Sequence, residues 1–158
     1  MPVRIPVLPL RGRRKAGPKE SGLRWLEFGS TAVALGVLAQ ATLAGQILTG
    51  RHWLVATHRI LAEVLPVLAA GLVLLGWKQR MIDPARAWLV WSLSAALVVL
   101  VAQTGLGFVG RSSPAAIAIH VPLGVALLGI YVVVATAARA LRSPGWRRAR
   151  GHGFEVAS

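Results

Sequence analysis

A chain of 158 residues suffices for one compact unit and is too short for two ordinary domains. Apolar residues make up 55% of it and its mean hydropathy is +0.62, more than a soluble domain of this size has interior to hide. The absence of cysteine excludes disulfides, thiolate metal sites and cysteine nucleophiles. Basic residues outnumber acidic ones 18 to 5 and stand in short blocks between long apolar runs, which points to anionic lipid headgroups and away from nucleic acid.

Residues 1–24 form a Pro-, Gly- and Arg-rich tail that is expected to be disordered. A helix needs about 20 mainly apolar residues to cross the hydrocarbon core. Four segments meet that requirement, at about 25–48, 54–77, 87–110 and 115–138, and a second basic tail occupies 139–158. Ala39-Gln40-Ala41 has the form of a signal-cleavage motif, but the apolar run around it is longer than a signal core, so the first segment is read as a retained span. Pro66 and Pro122 fall inside spans, which membrane helices tolerate when a neighbour satisfies the freed carbonyl. Trp25, Trp53, Trp77, Trp88 and Trp91 cluster near span ends, as indole rings do at an interface. The fold class predicted is all-α, an integral membrane four-helix bundle over residues 25–138.

Orientation follows from the loops. Arg4, Arg11, Arg13, Arg14, Lys15, Lys19 and Arg24 precede the first span; Lys78, Arg80 and Arg86 lie between the second and third; Arg139, Arg142, Arg147, Arg148 and Arg150 follow the fourth. Only Arg51, Arg59 and Arg111 fall on the other side. The positive-inside rule then places both termini in the cytoplasm of a multi-pass plasma-membrane protein.

Shifting the sequence against itself by 62 residues superposes the first two spans on the last two. The coincidences include Arg24 with Arg86, Ala34 with Ala96, Leu38 with Leu100, Thr42 with Thr104, Gly45 with Gly107, His58 with His120, Leu65 with Leu127 and Arg80 with Arg142. Gln40 and Gln103 miss alignment by one place. The unit is a helical hairpin used twice, and two copies running in the same direction are related by an axis along the membrane normal. Short connections close such helices into a bundle.

That symmetry puts His58 and His120 at matching depth on opposed helices. Ionisable groups in a membrane are costly and usually face the bundle interior at a functional position. Two imidazoles across a bundle core suit the axial positions of one haem iron. Gly45 and Gly107, on the partner helices, would leave room for the macrocycle edge, while Arg59 and Arg111 would offer cations to its propionates. The spacing leaves a second reading open, in which each histidine caps a helix or bonds across the bundle. Zinc would want further ligands, and no Asp, Glu or Cys lies on that side to supply them.

From roughly residue 38 to 136 the chain resembles one half of the haem A synthase family. The resemblance rests on His58-Arg59 at the head of the second span, on Gln103-Thr-Gly-Leu-Gly107, and on His120-Val-Pro-Leu-Gly. That family has two four-helix bundles, each with a histidine pair on its second and fourth helices, so the resemblance implies that His58 and His120 are haem ligands. The family's acidic residue three places before the first histidine is Val55 here, and its cysteine pair and second bundle have no counterpart. Haem A synthesis is therefore not expected of this chain, whereas a single bound haem b, in a plan similar to small membrane cytochromes b, is.

The remaining polar residues carry less. Glu63 is rotated away from the His58 face and either pairs with Arg59 or sits protonated in the bundle. Gln40, Gln46, Gln103, Thr42 and Thr104 are expected to bond between helices, and a quinone site at a glutamine is conceivable. Glu27 is expected to pair with Arg24 at the inner interface; His52 is in a loop and His152 in a tail. The expected function is electron transfer or haem handling linked to a respiratory chain, with one haem b per chain and a quinone, a redox protein or a second copy as partner. The alternative is a cofactor-free membrane scaffold for a larger complex.

Overall fold

The computed structural model describes residues 18–83, 86–110 and 113–143. It consists of α1 (Pro18–Leu48), a 3-10 turn (His52–Leu54), α2 (Val55–Ile82), α3 (Ala87–Val109) and α4 (Pro114–Arg142), with no strand among the described residues. All four helices are long and apolar enough to cross a membrane. The chain is thus a multi-pass membrane protein with the expected all-α four-helix architecture.

At 1.5 Å per residue the 23 residues of α3 span about 34 Å, close to the hydrocarbon thickness. The other three, with 31, 28 and 29 residues, overshoot it. The excess lies at the end that carries the termini: α1 starts at Pro18, before the expected 25, α2 runs on to Ile82, and α4 to Arg142. Apolarity ends at the first charges, but backbone bonding continues into the headgroup layer, where long basic side chains reach water. Residues 18–24 and 139–142 therefore belong to helices. Residues 1–17 and 144–158, His152 among them, lie outside the described residues, as does Arg111.

The starts and turns follow local rules. Pro114 occupies the first turn of α4, where no N–H is needed, and Ser113 before it accepts a bond from the Ala116 N–H at 3.4 Å. The chain leaves α1 through Gly50, whose φ of +96° favours glycine. Arg51 then turns back to donate to Gln46 Oε1 at 2.8 Å.

Each helix packs against the two beside it in the ring α1–α2–α3–α4, and the diagonal pairs α1/α3 and α2/α4 bring no Cα atoms within 8 Å of each other among the described residues. α1 meets α2 through a ladder of period seven. Gly22 faces the Gln79 side chain, Gly29 faces Leu72 and Gly36 faces Leu65, so close that a β-carbon would come within 1.8, 2.3 and 2.4 Å respectively. The next step of that stripe along α2 is His58. On α4 the corresponding stripe is His120, Leu127, Val134 and Leu141, and Leu127 and Val134 are fully buried. Period seven keeps one face of a helix turned to its neighbour. The histidines are thereby carried to the interior by the residues that pack the helices.

Packing is uneven along the bundle. The core, formed by residues such as Leu23, Leu26, Val33, Leu72, Leu93, Tyr131 and Val134, fills the half nearest the termini. In the hairpin half, residues 38–48, 55–64, 101–109 and 117–126 include no fully buried side chain. The terminus end is further tied from helix to helix. Glu27 of α1 pairs with Arg142 of α4, not with the exposed Arg24, because it lies on the α4-facing side. Arg80 of α2 stacks over Trp77 at 4.9 Å and over Trp91 of α3 at 5.8 Å, and those two rings meet edge to face at 5.7 Å. Asp83 and Arg86, 3.1 Å apart, close the turn between α2 and α3.

Candidate functional site

The loosely packed half encloses a cavity of about 590 Å³ lined by all four helices. Its floor is apolar, built from Val37, Leu65, Leu100 and Leu127, where the close-packed core begins. His58 and His120 both line it, on the diagonal helices α2 and α4, so the space between them is the bundle axis itself. Gly45, Gly107 and Arg59 line it too.

The two histidines are held alike in backbone and differently in ring. Gln40 Nε2 donates to the His58 carbonyl at 3.0 Å, and Gln103 Nε2 donates to the His120 carbonyl at 2.7 Å. Two glutamines that are one place out of register thus perform the same task. Their side-chain oxygens, Gln40 Oε1 and Gln103 Oε1, are buried without a hydrogen-bond partner. His120 Nδ1 lies 3.1 Å from the Gln103 backbone oxygen. A carbonyl can only accept, so this contact puts the proton on Nδ1 and leaves Nε2 with its lone pair. The usual support of a metal-bound histidine has this form. His58 Nδ1 is buried with no partner.

The other predicted residues sort by position. A β-carbon at Gly107 would make ordinary contact with His120 Cε1 at 3.4 Å, so Gly107 lies beside the imidazole without being required by it; one at Gly45 would meet nothing within 4 Å. Arg59 Nε donates to Glu63 Oε1 at 3.0 Å, the i, i+4 pairing open to Glu63, and its guanidinium lies over Phe108 at 5.8 Å. Thr104 Oγ1 donates to the Leu100 carbonyl at 3.0 Å and reaches the Ala62 carbonyl of α2 at 3.4 Å. Pro66 cannot bond the Ala62 carbonyl from four residues on, and Thr104 supplies the missing donor from the next helix. Thr42 and Gln46 bond only locally, to the Leu38 carbonyl and to Arg51. His52 is exposed and does not line the cavity, whereas Val55 does.

No group of three or more His, Cys, Asp or Glu able to hold a metal ion occurs among the described residues. A bare metal ion needing four protein ligands is therefore poorly served. A haem fits better, because its macrocycle provides four equatorial nitrogens and asks the protein for two axial ones. The volume falls in the range of small-molecule and cofactor sites. The unpartnered His58 Nδ1, the fixed tautomer of His120 and the bare Gly45 surface also suit such a group. The glycine ladder and the cavity floor have no separate signal in the sequence, because each is defined only by what it faces. No family model, curated protein or solved structure matches the chain.

Proposed function

We propose that this chain is a membrane cytochrome b that holds one haem b between His58 and His120 and serves electron transfer or haem handling. The observation that carries the reading is one cavity lined by two histidines from the diagonal helices α2 and α4. The resemblance to one half of the haem A synthase family supports it, and Val55 argues against methyl oxidation. Bound haem would supply one-electron redox chemistry. The protein's part is to present Nε2 of His120 by fixing Nδ1 on the Gln103 carbonyl, to keep the site dry with its leucine floor, and to bring the Arg59 cation to the rim. Gly45, Gly107 and, beyond the described residues, Arg111 belong to the same proposed site. Both termini face the cytoplasm of the plasma membrane in this reading, and a quinone or a redox protein completes the electron path.

The test is an oxidised-minus-reduced visible spectrum of the detergent-purified protein beside His58→Ala and His120→Ala. Sharp low-spin b-type bands are expected from the parent chain and from neither variant. A parent chain that stays colourless after haem reconstitution would sink the reading in favour of a cofactor-free scaffold.

A further inference from the structure

We propose that the cavity takes its porphyrin sideways from the bilayer, through the cleft between α1 and α4, while the symmetry-related cleft between α2 and α3 is fastened. The proposal rests on the haem reading above and adds the route by which the ligand arrives.

The two clefts are the same place in the two repeats, and the repeats have diverged there. Position by position, Arg59 in one corresponds to Val121 in the other, Glu63 to Val125, and Thr104 to Thr42. Between α2 and α3 these residues tie the helices. Thr104 reaches the Ala62 carbonyl, Arg59 lies over Phe108, and Glu63 holds Arg59 in place. Between α1 and α4 the counterparts tie nothing across the cleft, since Thr42 bonds its own helix and both valines are apolar.

The open side has the form of a mouth. Leu38, Val121 and Val125 line the cavity, yet they are 50%, 60% and 66% exposed. On the α2–α3 side the lining residues that are also exposed, Arg59 and Phe108, are stacked on each other, whereas these three apolar side chains have no such tie. Gly45 and Ala41 add no bulk between them. In a membrane this rim faces acyl chains, so what passes it is apolar on its faces and dissolved in the bilayer. The histidine pair at the end of the passage selects a flat iron macrocycle from among such solutes. The fastened side explains why one route is enough: opening it would break a hydrogen bond and a cation–π contact, whereas along the cavity the α1–α4 side has neither to break among the described residues, its Glu27–Arg142 pair lying at the far, terminus end.

The chain has no cysteine, so a reversible staple can be placed without background. Leu38→Cys with Val125→Cys, bridged by a thiol-cleavable bifunctional reagent, closes the mouth of the full-length chain in proteoliposomes. Haem transfer from haem-loaded phosphatidylcholine vesicles is followed by the growth of the Soret band. Stapling is expected to slow loading by about tenfold or more, corresponding to a modest rise in barrier, and reductant is expected to restore the rate. Restoration in the same molecule rules out misfolding as the cause. An unchanged rate after stapling overturns the lateral route. So does a chain that binds haem added in detergent but draws none from vesicles. Failure to bind haem under either condition overturns the haem reading itself, and the route with it.

Discussion

At His120 the ring is oriented by the Gln103 carbonyl, while His58 has only its backbone held. Outer partners of a metal-bound histidine are commonly worth 10–100-fold in affinity. If the pair holds haem as proposed, His120→Ala is therefore expected to lose more haem affinity than His58→Ala, by about tenfold, in a titration of apo-protein followed at the Soret band. Equal losses would show that the Gln103 contact does not pre-orient the ligand. The histidines themselves were legible in the sequence, because a polar residue that recurs at the repeat period inside an apolar span stands out. The glutamines were legible only as inter-helix donors. Their shared target, a histidine carbonyl reached from 18 residues away in one case and 17 in the other, leaves no mark on side-chain pattern.

The helices show the same division between what apolarity reveals and what partners decide. Four spans follow from length and hydropathy, but their ends extend into the headgroup layer, where hydropathy no longer reports helix. The glycines of α1 and α2 look alike in sequence and differ in consequence. At Gly36 a β-carbon falls 2.4 Å from the buried Leu65 side chain, whereas at Gly71 on α2 nothing lies within 4 Å. Gly36→Leu is expected to destabilise the bundle by about 1–3 kcal/mol through overpacking. Gly71→Ala is expected to be neutral or stabilising by up to ~1 kcal/mol, because alanine favours the helix. Thermal unfolding in detergent distinguishes the two, and a Gly36→Leu chain as stable as the parent would remove the ladder from the account of α1–α2 packing.

For the whole molecule, the repeat predicts opposed histidines, and the ring of helices has them. What the repeat could not predict are the places where it has been broken: the polar ties kept in one cleft and lost in the other, and the Glu27–Arg142 pair that fastens α1 to α4 at the terminus end. Sidedness rests on the distribution of basic residues. A thiol placed in the hairpin turn by Thr49→Cys is expected to react with a membrane-impermeant maleimide added outside intact cells, and one placed by Ser143→Cys only after permeabilisation. The reverse pattern would invert the bundle and put the cavity on the cytoplasmic side.

The floor formed by Val37, Leu65, Leu100 and Leu127 also has an electrical meaning. From Leu65 the helix runs about 26 Å to its end at Ile82, through the packed core and into the headgroup layer, with no second histidine on the way. The proposed redox centre above that floor would lie nearer the hairpin surface, so an electron exchanged with a partner on that surface would cross little of the transmembrane field. The work of moving a charge scales with the fraction of the voltage it traverses, about 2.3 kcal/mol per 100 mV for the full span. Exchange on the hairpin side would proceed almost independently of membrane voltage, and this chain by itself would generate none.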